Sequence, residues 1–168
     1  AIDGVKEEML FISHNASKIL IKVDLDKIPE QDRENIQLEL RVPKDYFGVV
    51  RFGNISTPNG VEILNKNVPF FEIIGDLKTE INMVINCKKG LYFQHSDKSD
   101  KVGKIQQGNH ANQWIPLTSV FSPVVKFMYN VLDNVPSQNV ETIEIKIKTD
   151  GRMCPKDVLV IASEIMTN

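Results

Sequence analysis

The residues of this chain best suited to metal or nucleophilic chemistry are His14, His95 and His110, with Cys87 and Cys154. No histidine stands four residues from a second ligand on a helical pattern, the spacing that would set two donors on one face for a metal. His95, Asp97 and Asp100 bring nitrogen and carboxylate donors into one segment, but Lys98 and Lys101 place positive charge where a cation would sit. That segment reads as solvated loop. The two cysteines have no CxxC spacing; they read as buried or idle thiols of a reducing compartment, with a single disulfide as the alternative. The chain carries no GxGxxG, GxxxxGK[ST] or GxSxG pattern, so neither a phosphate-cradling loop nor a nucleophile elbow is indicated. Glu39, Glu141 and Glu144 are the outward members of strand alternations. Asn15-Ala16-Ser17 and Asn54-Ile55-Ser56 match the glycosylation sequon, but without a secretory signal they read as chance matches. No catalytic residue, metal or cofactor is expected, which points to a non-catalytic scaffold or binding domain.

The bulk properties agree. The chain has 168 residues, 42% hydrophobic and 25% charged, enough for one domain with a core or for two small ones. Twenty basic groups against 22 acidic ones leave a net charge of −2, which gives no footprint for wrapping nucleic acid or holding anionic lipid. No apolar run reaches the roughly 18–20 residues of a membrane span. The start, Ala1-Ile2-Asp3-Gly4-Val5-Lys6, resembles neither a signal nor a transit peptide, and without a Met it reads as a processed chain or a piece of something longer. Lys outnumbers Arg sixteen to four, and Asn and Ile are abundant, a skew that reflects an A+T-rich coding genome.

The elements that would position functional residues follow from periodicity. Val5, Met9, Leu10, Ile12 and Ala16 recur at steps dominated by three and four, predicting an amphipathic helix of at least three turns from Val5, with Asp3 as its N-cap. Ile19, Ile21, Val23 and Leu25 alternate as a half-buried strand, and Ile36, Leu38, Leu40 and Val42 as a second, stopped by Pro43. Short extended runs follow at 48–52, 61–64 and 70–74, with Thr57-Pro58-Asn59-Gly60 as a turn. Ile81, Met83, Ile85 and Cys87 form another alternation, and Leu91-Tyr92-Phe93 starts one more strand. Residues 95–113 read as a long exposed loop, and 114–121 as an apolar connector. Strands are then expected at 124–132 and 140–148, a turn at Thr149-Asp150-Gly151, and a helix opened by Pro155. The fold class is α+β.

Four stretches, in order and in register, carry a resemblance. Ile2-Asp3-Gly4-Val5-Lys6-Glu7-Glu8-Met9-Leu10 resembles the "pGVkEDvldI" segment of the amino-terminal domain of the bacterial or plastid type RNA polymerase α subunit. Thr57-Pro58-Asn59-Gly60-Val61-Glu62-Ile63-Leu64-Asn65 is similar to its "TPpgVEIlNpd". Residues Ile115 to Val124 resemble "iPiDavFsPV", and Tyr129 with Val131 fits the "NYrVe" strand. Thr149-Asp150-Gly151, Pro155 to Leu159 and Ala162 to Ile165 resemble "TDGsitPkeAlseAskIL". The resemblance covers essentially the whole chain. Departures from it are Glu8 in place of an aspartate, Thr118 in place of another, and Val158-Leu159-Val160 in the last helix.

The resemblance implies an assembly subunit of a DNA-directed RNA polymerase, with residues 4–113 as an inserted β-rich subdomain. Residues 114–168, with 1–3, would be the returning part of an α+β dimerisation subdomain. It further implies contacts with the large catalytic subunits (β and β′ type) through Val5, Lys6, Glu7, Glu8, Glu62, Asn65, Val120, Phe121, Ser122, Pro123, Val124, Asp150 and Gly151. Leu159, Ile161, Ala162 and Ile165 would pack against a second α-type chain, and DNA would be met only indirectly. The width of that helix face supports a covering chain; an ordinary helix packed on its own strands is the alternative. The family's opening strands, its "GNaLRR" helix and its carboxy-terminal domain have no counterpart here, so a separate polypeptide or an upstream segment is expected to supply the first part. Composition points to a plastid, with the bacterial cytoplasm as the alternative. The competing reading is an independent β-sandwich binding or coat-like module.

Overall fold

The computed structural model of the chain describes residues 2–90, 93–94, 104–107, 114–132 and 142–167, the backbone alone for 93–94 and 104–107. The described part is mixed and strand-rich with two helices, as an α+β chain should be. It separates into two units, Ala1–Phe121 and Ser122–Asn168.

In the first unit the alternating stretches become paired strands. β1 (Ile21–Val23) is followed by β2 (Ile36–Val42), β3 (Gly48–Arg51), β4 (Val61–Ile63), β5 (Pro69–Ile73) and β6 (Ile81–Cys87). β7 (Phe93–Gln94), β8 (Lys104–Gln107), β9 (Trp114–Pro116) and β10 (Ser119–Val120) complete it. β2 and β6 run antiparallel in unbroken register from Ile36 opposite Cys87 to Val42 opposite Ile81. Side chains at every second position therefore meet on one face. Leu38, Leu40, Met83 and Ile85 are buried there. Each fully buried side chain of this size contributes about 1.5–3 kcal/mol. Phe52, Phe70 and Phe71 fill the centre; the rings of Phe52 and Phe70 meet edge to face at 5.5 Å.

Two expectations need correction. The first helix, α1 (Met9–Ala16), is only eight residues long, and its N-cap is Glu8, whose side chain makes no capping bond. The earlier residues are bound to a sheet edge instead. Val5 bridges Ile73, and the Lys6 N–H donates to the Glu72 carbonyl at 2.9 Å. Gly4 makes this possible: its φ is +81°, and a Cβ would stand 2.9 Å from the carbonyl oxygens of Gly75 and Asp76. Asp3 pairs with Lys78, which holds its carboxyl below the usual carboxylate range, and so caps no helix. The second correction concerns residues 95–113. Within that expected loop β8 pairs with both β6 and β9, and so completes a four-stranded sheet in the order β2-β6-β8-β9. Leu91, Tyr92, His95 and His110 lie outside the described residues.

The second unit holds a long antiparallel pair, β11 (Val124–Leu132) with β12 (Thr142–Thr149), and α2 (Pro155–Thr167). The strand and helix expectations hold here within two residues at each described end. None of its described residues is buried.

Candidate functional site

Residues singled out near the N-terminus are engaged by their own chain. The Lys6 ammonium pairs with the Glu72 carboxylate, which raises its pKa above the ordinary lysine value. A Glu7 carboxylate oxygen accepts the Glu72 N–H at 2.8 Å. Together with the Val5 bridge, these bonds tie the segment ahead of α1 to β5; Glu8 remains exposed. Asn65 acts as a side-chain extension of the β1–β4 ladder: its Oδ1 accepts from the Leu20 N–H at 3.0 Å and its Nδ2 donates to the Lys18 carbonyl at 2.9 Å. Glu62, exposed in β4, lies opposite Lys22 and 3.6 Å from the Lys66 ammonium. Val120 sits in β10 opposite Phe93, and the Phe121 ring lies over Gly90.

In the second unit the structure brings together two segments that the sequence keeps more than twenty residues apart. The Asp150 N–H donates to the Pro123 carbonyl at 3.0 Å, beside the pairing of Val124 with Thr149. Ser122 Oγ accepts from the Val124 N–H at 3.3 Å. Arg152, which no sequence pattern singled out, joins the two segments. Its Nε donates to Asp150 Oδ2 at 2.8 Å, and its Nη2 donates to the Ser122 carbonyl at 2.8 Å. Its backbone N–H meets Asp150 Oδ1 at 3.0 Å. The signal available in advance was an Asp-Gly-Arg run across a tight turn, in a chain with only four arginines.

The strand pair and α2 also present large apolar side chains to solvent. Phe127, Tyr129, Val131, Ile143 and Ile145 are exposed on the strand pair, as are Leu159, Ile161 and Ile165 on α2; Ala162 is exposed with them. Tyr129 and Ile165 are 64% and 60% accessible, and with their neighbours they form part of an extended apolar surface. Among the described residues, no cluster of His, Cys, Asp and Glu is arranged to hold a metal. No described helix is long and apolar enough to cross a membrane.

Comparison with known proteins places the chain beside one kind of subunit. No family model matches the chain. It is 25% identical over 172 residues to the DNA-directed RNA polymerase subunit alpha of Malacoplasma penetrans, an alignment covering 99% of the chain and 50% of that protein. Those of Mycoplasma mycoides subsp. mycoides and Mycoplasmoides gallisepticum are 28% and 22% identical, at the same coverage. Along nearly its whole length the chain is similar to RNA polymerase α subunits. It spans about half the length of the curated α subunits it matches. These relatives are bacterial, so they give no support to the plastid origin expected from composition; a Lys- and Asn-rich chain is not specific to an organelle.

Proposed function

We propose that this chain is a non-catalytic assembly scaffold of a multisubunit DNA-directed RNA polymerase. In this reading it pairs with a second α-type chain, docks the large β- and β′-type subunits, and meets DNA only through them. One observation carries the reading beyond sequence similarity. The second unit exposes two strands and a helix rich in large apolar side chains, yet buries none of its described residues. An exposed apolar surface of this extent marks an interaction site, to be covered by another chain or by further sequence of the same protein. Residues 4–113 are assigned to the inserted β-rich subdomain, and 114–168 with 1–3 to the dimerisation subdomain. Leu159, Ile161, Ala162 and Ile165 are assigned to the α–α contact, and Val120 to Val124 with Asp150 and Gly151 to the large-subunit contact. Val5 to Glu8, Glu62 and Asn65 are secondary candidates, since most of their polar groups are already bonded within the chain. The bacterial cytoplasm, where the relatives' organisms would run transcription, is the assigned location.

The test is co-expression of the tagged chain with the large polymerase subunits of the same organism. Stoichiometric recovery of both, at about 0.15 M salt, is expected; a chain recovered alone overturns the reading. Substituting Ile161 and Ile165 by Glu should weaken self-association by more than about tenfold, because each charge would have to be desolvated in an apolar contact. The first unit alone, with its own core, would suit an independent binding module, but that reading leaves the uncovered second unit without a role.

A further inference from the structure

The pair formed by Asp150 and Arg152 differs from every other ion pair among the described residues. Its side chains are 16% and 19% exposed, whereas each of the others has at least one side chain more than half exposed. The contact is also forked. Nε and Nη2 of Arg152 both reach Asp150 Oδ2, at 2.8 and 2.7 Å, while Nη2 also holds the Ser122 carbonyl. We propose that Arg152 is a positioning residue for subunit docking: locked on Asp150, its guanidinium fixes the connector Ser122–Val124 in the shape that meets the large subunits. The inference rests on the assignment of that connector as a docking segment.

The geometry explains why an arginine is needed. One planar group must bond a carboxylate and a carbonyl from a segment remote in sequence, and only a guanidinium presents rigidly spaced donors in two directions. The ammonium of a lysine is a single point and would serve one acceptor well or the other, but not both with good alignment. The same geometry also assigns Asp150. Oδ1 accepts the Arg152 N–H and Oδ2 takes the guanidinium, so the carboxylate is engaged within its own chain. Asp150 therefore acts on the partner through Arg152 and the connector, and not as a free anion facing a partner's basic group. Low exposure strengthens this arrangement, because a partly covered pair is screened less by salt than a surface one.

A double-mutant cycle on the full chain, assembled with the two large subunits, separates the possibilities. Asp150→Ala and Arg152→Ala should each weaken docking by about tenfold, the scale of one charge-assisted hydrogen bond. The double variant should be no weaker than either single one, because both remove the same clamp. Arg152→Lys should recover only part of the loss. The thermal transition of the unbound chain should stay in place for all variants, since the core lies in the first unit. Additive losses, or tighter docking by Arg152→Ala as a freed Asp150 engages a partner cation, would overturn the proposal while leaving the docking assignment intact. If the unsubstituted chain itself fails to bind the large subunits, the docking assignment falls, and the proposed role of Arg152 falls with it.

Discussion

Cys87 and Cys154 show how placement decides the chemistry of a side chain. Burial at the end of β6 pushes the Cys87 thiol up to about 12, because the thiolate would lose its hydration there. Cys154 is exposed just ahead of α2. A thiolate-selective reagent at pH 8 should modify Cys154 alone in the folded chain and both cysteines after denaturation, read by intact mass. Two rapid additions to the folded chain would contradict the placement of Cys87. The sign of the linked stability follows. Below about 9 both states keep the proton, so the shift has no effect on stability. Between 9.0 and about 12 the unfolded chain releases it and the folded chain does not, so stability falls as pH rises through that window. Gly90 offers a second residue-level test. A Cβ at that position would stand 2.6–2.7 Å from three atoms of the Phe121 ring. Gly90→Ala should therefore displace the half-exposed Phe121 ring and cost at most about 1 kcal/mol in chemical denaturation. The cost should shrink in a Phe121→Ala background, where the ring is gone; an equal cost in both backgrounds would show that the ring is not what the methyl meets.

At the scale of elements, what the sequence made legible followed from whether side chains or backbone set the structure. β2 could be read from Ile36, Leu38, Leu40 and Val42 because each buried residue alternates with an exposed one. α1 could be placed but not bounded: the spacing of Val5 and Met9 fits a helix, while Gly4 and the bridge to Ile73 turn that first segment into sheet edge. β8 was not legible at all. Lys104-Ile105-Gln106-Gln107 has a single apolar residue, and its strand is defined by pairing to β6 on one side and β9 on the other. The consequence is measurable. Ile105 stands opposite both Ile85 and Ile115, so Ile105→Pro removes a backbone donor from the interior of the sheet. A loss of about 1–3 kcal/mol is expected, with faster amide exchange across β9. An unchanged exchange pattern at β9 would mean that β8 does not join the two strands. The Asp150–Arg152 clamp belongs to the same class of unread feature. Its residues form an ordinary turn sequence, and only the approach of Ser122 from a distant segment gives the guanidinium its second acceptor.

For the molecule as a whole, the distribution of buried side chains sets the last prediction. The core runs from Ile12 to Leu117 and lies entirely within the first unit. That unit has sheets, buried aromatic rings and enough chain to bury them, so residues 1–121 alone should unfold cooperatively on heating. The second unit, cut at Ser122, is below the size at which a chain readily buries enough apolar surface to offset its conformational entropy. None of its described side chains is buried, and its strand pair exposes Phe127, Tyr129, Ile143 and Ile145. Residues 122–168 alone should therefore show no cooperative transition, should bind a hydrophobic dye, and should gain ordered structure when large polymerase subunits are supplied. A sharp, concentration-independent thermal transition for that fragment as a monomer would show that it covers its own apolar faces. The assignment of that surface to an assembled partner would then fall. Dye binding lost on assembly, together with slowed amide exchange in β11, β12 and α2, would instead locate the missing cover on the other subunits, where a scaffold should have it.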